Sequence, residues 1–338
     1  MNNNLFIVTS HLHVFLVDIL VKYLDLKNVT IFTKKEFKHF FHDYNVYVYY
    51  FPGLNENRIL KLPKLLYNYF SVDKKHYDSV YIPNDSNPFN QALLKNIDYY
   101  DLIYYEEGAT AFYKIQEQMN NKNQSRSMFL KSILGLEQTK TVLTSKKIKK
   151  AYVFLEEILK KISPDIEFIN LSNIVKEKYQ FSKMNIDQEF LNPDYLIATQ
   201  PLTEDYYCKN FEEVEAIEEF IKNNLNKRIV LKVHPRERLN KYSNIIRDYG
   251  NVLLLPEKYN VYPYQILHFS LLPTNIVSFF SSILLTVEST NPLFKRISLV
   301  SLLKNNNEMK EIMKEYKKYV DDLIFYHFSE YKQNEGLE

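Results

Sequence analysis

Short apolar runs rich in β-branched residues alternate with segments of helical periodicity along nearly the whole chain, in two series separated by a polar interval. Residues 5–9, 29–33, 46–50, 79–82 and 101–105 read as strands, and 13–23, 57–70 and 87–96 carry apolar residues at helical spacing. Residues 118–126, rich in Asn and Gln, read as an exposed loop, and the chain is less regular from there to 168. The pattern then resumes. Strands are expected at 195–199, 229–233, 252–255 and 275–279, and helices at 211–223, 240–249 and 264–268, with another opening at 281 and an amphipathic one closing the series at 309–319. Such alternation builds βα units on a largely parallel sheet. Two series within 338 residues predict two doubly wound α/β domains, 1–185 and 190–320, with a tail over 321–338. A polar stretch at 175–193 reads as the linker, and two such lobes imply a cleft in which ligands sit.

Composition removes several function classes. The net charge of +2 lacks the basic excess of a nucleic-acid binder, so no nucleic-acid partner is expected. One cysteine, Cys208, cannot form an internal disulfide and fits a reducing compartment. The apolar opening, residues 1–24, is interrupted by His11, His13, Asp18 and Lys22, and no run approaches the roughly 20 apolar residues of a spanning helix. The expected location is therefore the cytoplasm.

Three segments carry chemistry, each at the predicted end of a strand, which in a parallel sheet is the ligand-binding edge. In Tyr104-Tyr105-Glu106-Glu107-Gly108, mutual repulsion should raise at least one carboxyl pKa toward that of a base, and Gly108 permits a tight turn. In Lys232-Val233-His234-Pro235, the proline pins an imidazole suited to proton donation or to contact with a leaving phosphate. In Ser278-Phe279-Phe280-Ser281-Ser282, hydroxyls and backbone N–H groups at a helix start can hold an anion without a metal. Taken singly, each also has a structural reading: a solvated acidic turn, a strand-capping histidine, and an N-cap.

Their order along the chain resembles the bacterial sialyltransferases, which share an acid-acid-Gly motif, a His-Pro motif and a late Ser/Thr pair. The Lys-x-His-Pro-Arg-Glu form and the opening Leu5-Phe6-Ile7-Val8-Thr9-Ser10 look most like glycosyltransferase family 52, the lipooligosaccharide sialyltransferases, with capsule polysialyltransferases as near relatives. The resemblance implies a GT-B fold, two Rossmann-like doubly wound domains facing a cleft, with CMP-sialic acid bound mainly by the second. Glu106 then matches the general base, with Glu107 as the second choice, and His234 meets the departing CMP phosphate. Ser281 and Ser282 match the phosphate-binding pair, and Gly108, Lys232, Pro235 and Ser278 fall within the same motifs. Two positions depart from the pattern. Gln265 stands where the family's ribose-binding glutamate does, an amide that can still hydrogen-bond a hydroxyl, and Val233 replaces a glycine before His-Pro.

The resemblance implies an inverting reaction in which a deprotonated sugar hydroxyl attacks the anomeric carbon, with no metal or other cofactor. The donor's single phosphate needs a cation less than a diphosphate does, and the chain has no Asp-x-Asp triplet. Partners implied are CMP-sialic acid and a glycan acceptor, lipid-linked and belonging to lipooligosaccharide or capsule. Ser10, His11 and Asn87, next to predicted strand ends, are candidates for the acceptor side. The basic cluster Lys146, Lys147, Lys149 and Lys150 suggests either a peripheral contact with the inner face of the membrane or simply a solvated surface. A GT-B transferase for another nucleotide-activated sugar or polyol, and a non-catalytic scaffold, are the alternatives.

Overall fold

The computed structural model describes residues 2–49, 75–108, 143, 145–160, 163–178, 186–209, 211–260, 262, 264–287, 293–304 and 306–326. The chain divides into two compact units, Met1–Gln180 and Phe181–Glu338. The helix expected at 57–70 and the polar loop at 118–126 lie outside the described residues.

The first unit holds β1 (Asn3–Val8), β2 (Asn28–Lys34), β3 (Asn45–Tyr49), β4 (His76–Ile82), β5 (Asp98–Tyr105), β6 (Ile148–Val153) and β7 (Glu167–Asn170) in a sheet ordered β3-β2-β1-β4-β5-β6-β7. The second holds β8 (Tyr195–Ala198), β9 (Ile229–Lys232), β10 (Val252–Leu254), β11 (Asn275–Ser278), β12 (Lys295–Ser298) and β13 (Leu323–Phe325), ordered β10-β9-β8-β11-β12-β13. Every pairing is parallel. The second order is that of a doubly wound dinucleotide-binding sheet, and the first is the same order with a seventh strand added. Each sheet has a switch point, β1/β4 and β8/β11, where the chain reverses its direction of winding.

Strands covered on both faces must be apolar throughout rather than alternating. Leu5, Phe6, Ile7 and Val8 of β1 and Ile229, Val230 and Leu231 of β9 meet this condition, each at most 1% exposed. Helix α1 (His11–Tyr23) buries its residues almost all the way round and packs on α4 (Leu171–Lys178) as well as on the sheet. Between these come α2 (Pro88–Asn96) and α3 (Glu156–Lys160).

Helix α4 runs on to Lys178, into the interval read as linker, and the structure departs from the sequence reading in two further places. Strands β6 and β7 occupy the stretch read as irregular, because Lys149 and Lys150 in one and Glu167 and Asn170 in the other break the apolar run. Two lysines of the basic cluster thus belong to a strand, and Lys150 pairs with Glu167 across it at 3.4 Å. At the other end, Arg296, Ile297 and Ser298 pair with Leu323, Ile324 and Phe325, so the sheet continues past residue 320 into the expected tail.

Candidate functional site

In the first unit, the carboxyl ends of β1, β4, β5 and β6 lie side by side and gather a polar edge. The main chain of Glu106 joins the ladder by donating its N–H to the Tyr152 carbonyl at 3.0 Å. Its side chain folds back into the protein and is 0% exposed. One carboxylate oxygen accepts the N–H of Gly108 at 3.0 Å and the other that of Phe154 at 3.2 Å. Gly108 has φ 103°, a conformation that side chains resist, and this lets the turn close onto the carboxylate. Burial pushes the Glu106 carboxyl up to about 7, the two backbone donors pull against it, and the Glu107 charge adds the smallest push. Desolvation, rather than the pair repulsion expected from sequence, is therefore the main cause.

Glu107 is only half-buried, and its Oε1 accepts from the Asn84 amide at 2.7 Å. Its other oxygen, Oε2, is enclosed as well, so the two carboxylates differ in how they are held rather than in one lying open and the other shut. Adjacent residues leaving a strand project to opposite sides, and the β6 exit closes over Glu106 while Glu107 stays at the edge. Asn84, not singled out from sequence, organises this corner. Its Oδ1 accepts from Ser86 N, Ser86 Oγ and Asn87 N at 2.8, 2.9 and 2.9 Å, and its own carbonyl accepts from the Asn90 amide at 2.7 Å. Only the local Asn-Asp-Ser-Asn run, typical of a tight turn, hinted at it.

The remaining residues assigned to the acceptor side have structural roles here. Ser10 is the N-cap of α1, accepting from His13 N at 3.3 Å, and His11 packs edge-on against Phe37 with ring centres 4.9 Å apart. Asn87 closes the Asn84 turn and accepts from Gln91 N. His13, 1% exposed, accepts at Nδ1 from Thr9 N and stands within 2.9 Å of Thr9 Oγ1. Burial and then Lys34 hold it down at about 3, with the Glu107 carbonyl pulling the other way, so the ring is neutral.

The buried Glu106 carboxyl has a measurable consequence. Its pKa is near 4.5 in the unfolded chain and about 7 in the folded one, so its stabilising contribution is fully present below about 4.5 and is lost as pH rises through about 7. Comparing the native protein with Glu106→Gln in urea unfolding cancels the contribution of His13, which titrates oppositely. Moving from about pH 8 to about pH 5.5 should shift the difference toward the native protein by about 2 kcal/mol. A difference independent of pH would contradict the burial of this carboxyl.

In the second unit, the strand-end loops of β9 and β11 flank that of β8. Given strand spacing, they stand about 10 Å apart. His234 is half-buried; its N–H donates to Thr199 Oγ1 at 2.8 Å and also lies 3.3 Å from Glu237 Oε2. Its Nδ1 accepts from Arg236 N at 3.2 Å, which places the proton of the neutral ring on Nε2. Pro235 is exposed at the turn. Val233 is buried and absent from the positive-φ positions, so the turn does not require the family's glycine. Lys232 is 1% exposed, with Nζ 4.2 Å from the centre of the Tyr264 ring, and burial lowers its ammonium to about 7.

The serines separate by role. Ser278 is fully buried and donates to the Ala198 carbonyl at 2.6 Å, tying β11 to β8. Ser281 and Ser282 are half-exposed where the chain enters the single turn of helix Ile283–Thr286, Ser281 Oγ standing 3.4 Å from Ile283 N. Gln200, missed in the sequence, accepts from Phe280 N at 2.8 Å and so fixes the approach to this pair. Gln265 lies in the helix Tyr264–Leu271; its side chain is outside the described residues. Among the described residues, one group of metal-ligand type occurs, Glu204, Glu213 and Glu237, and the Lys241 ammonium stands among them. No described helix is long and apolar enough to cross a membrane.

No family model matches the chain. Over 125 residues it is 28% identical to an uncharacterised protein of Haemophilus influenzae, a match covering 34% of this chain and only 40% of that protein's length. Among solved structures it resembles an α/β-galactoside α-2,3-sialyltransferase of Photobacterium phosphoreum (TM-score 0.52, 15% identity, 96% of this chain and 99% of that one). It also resembles S. aureus MnaA with UDP (0.54, 12%, 95% and 89%). A third likeness is to a Methanocaldococcus jannaschii UDP-GlcNAc 2-epimerase with UDP-GlcNAc and UDP (0.55, 14%, 96% and 89%). At these identities the likeness establishes the fold. The chain has the GT-B fold, two parallel-sheet α/β units of the kind found in glycosyltransferases and nucleotide-sugar epimerases.

Proposed function

We propose that the protein is an inverting, metal-independent glycosyltransferase moving sialic acid from CMP-sialic acid to a sugar hydroxyl of a bacterial surface glycan. The observation that carries this reading is the edge of the second sheet. There Lys232 and the Nε2–H of His234, at the end of β9, and the Ser281–Ser282 turn, after β11, stand on either side of β8, which suits a single phosphate with a nucleoside attached. The order of acid pair, His-Pro and serine pair supports a sialyl donor in particular.

In this mechanism Glu107 takes the proton from the acceptor hydroxyl, whose oxygen forms a bond to the anomeric carbon as the carbon–oxygen bond to phosphate breaks. The electron pair leaves with CMP. His234 gives its Nε2 proton or a hydrogen bond to the departing phosphate, and Lys232 and the serine hydroxyls stabilise its charge. Glu106 holds Gly108 and Phe154 and thereby the loop that presents Glu107.

The structures bound to UDP or UDP-GlcNAc favour a second reading, transfer from a UDP-sugar. Purified protein should release CMP from CMP-sialic acid with a galactose-terminated acceptor, and EDTA should leave the rate unchanged. Consumption of UDP-GlcNAc or CDP-glycerol with no loss of CMP-sialic acid would overturn the donor assignment. Thermal shift tests the scaffold alternative, because CMP at about 100 times its Kd should add about 2.7 kcal/mol to a working site and nothing to a scaffold.

A further inference from the structure

The reaction above leaves unused the most heavily bonded polar cluster of the second unit. Lys241 Nζ lies 2.9 Å from Glu204, 2.5 Å from Glu213 and 2.8 Å from Glu237, with the side chains of Glu213 and Glu237 0% exposed and that of Lys241 3%. Buried ion clusters are weak sources of stability, since well-packed apolar side chains often do as well, so the question is what this one orients. Here the groups are fully engaged. Glu213 also accepts from Thr203 N at 3.1 Å, Thr203 Oγ1 at 2.8 Å and Cys208 Sγ at 2.8 Å. Glu237 Oε1 accepts from Lys241 and from the Tyr242 hydroxyl, both at 2.8 Å, which fixes the plane of the carboxylate.

The other oxygen of that carboxylate faces the His-Pro turn. Glu237 Oε2 accepts the Thr199 hydroxyl and lies 3.3 Å from His234 N, while Thr199 Oγ1 accepts the same N–H at 2.8 Å. The loop is closed by Glu237 N donating to the His234 carbonyl at 2.9 Å. We infer that Glu237, held by Lys241 and Tyr242 and acting with Thr199, is a positioning residue that fixes the main chain of His234 and so selects the ring tautomer with its proton on Nε2. The carboxylate turns the Thr199 hydroxyl toward itself, leaving the hydroxyl's lone pairs for His234 N, and the turn this pins brings Arg236 N onto Nδ1. The catalytic part of this inference rests on the reading under Proposed function; the tautomer part does not.

Two measurements test it together. In the kinetic one, Glu237→Gln should lower kcat for CMP release by about 10- to 100-fold with KM within about 3-fold, since displacement by an ångström is enough for such a loss. The double variant His234→Ala/Glu237→Gln should be no slower than His234→Ala alone, and losses that multiply would overturn the inference. In the structural one, nitrogen NMR of histidine-labelled protein should show His234 as the Nε2–H tautomer in the native protein and a loss of that preference in Glu237→Gln. An unchanged tautomer in a folded variant also overturns it. If Glu237→Gln does not fold, Thr199→Val, which removes only the bridging hydroxyl, should give the same non-additivity and tautomer change. Native protein inert toward CMP-sialic acid, with the tautomer still lost on substitution, rejects the donor assignment and retains the positioning role.

Discussion

Replacing Glu107 by glutamine is expected to lower kcat at least about 100-fold, the usual contribution of a general base, with the thermal shift produced by CMP unchanged. The expectation follows from how each carboxylate is held. Both oxygens of Glu106 are occupied by the N–H groups of Gly108 and Phe154 within a fully buried site, whereas Glu107 is half-buried and uses Oε1 to meet the Asn84 amide. Glutamine at 107 keeps the size and an oxygen for Asn84 but cannot take up the acceptor proton. Glutamine at 106 instead sets an amide NH₂ against a backbone N–H, so it should act on the loop, costing under about 10-fold in kcat and lowering stability. Measuring kcat and KM for both variants separates the roles. A loss of 100-fold or more confined to Glu106→Gln would return the base to that residue, despite its burial.

The strands were legible where burial on both faces forces an unbroken apolar run, as in Leu5–Val8 or Ile229–Leu231, and hidden where a strand carries charge, as in β6 with Lys149 and Lys150. Their order within each sheet is a matter of tertiary pairing and has no local signal. The placement of the acid pair, His-Pro and serines at strand ends was likewise legible, because each follows an apolar run directly. Which member of a pair faces solvent was not. That depends on what closes over it: Phe154 lies 48 residues beyond Glu106, and the carbonyl that accepts from Ser278 belongs to Ala198, 80 residues before it. Gln200 and Thr199 escaped notice for the same reason, since each acts through partners distant in the chain, whereas Asn84 organises a turn of near neighbours and reaches across only to Glu107. Only Glu237 was visible early, as the last residue of the Lys-x-His-Pro-Arg-Glu form, and there without a role.

Lys232→Met should make the protein more stable while removing its response to CMP. The Lys232 side chain is buried against the Tyr264 ring, and desolvation lowers its ammonium from 10.5 to about 7. A lysine depressed in the folded state contributes stability that is present above about 10.5 and lost as pH falls toward about 7, because over that range the unfolded chain takes up the proton and the folded one does not. Acidification from about pH 9.5 to about pH 7 should therefore shift the unfolding free-energy difference toward Lys232→Met by about 3 kcal/mol, since methionine fills similar volume without the charge. Binding has the opposite requirement. A phosphate would favour the ammonium form, so CMP affinity in the native protein should fall as pH rises above about 7, by up to about 10-fold per unit, and Lys232→Met should bind weakly at every pH. A variant that binds CMP as the native protein does, or that gains no stability on acidification, would remove Lys232 from the phosphate site.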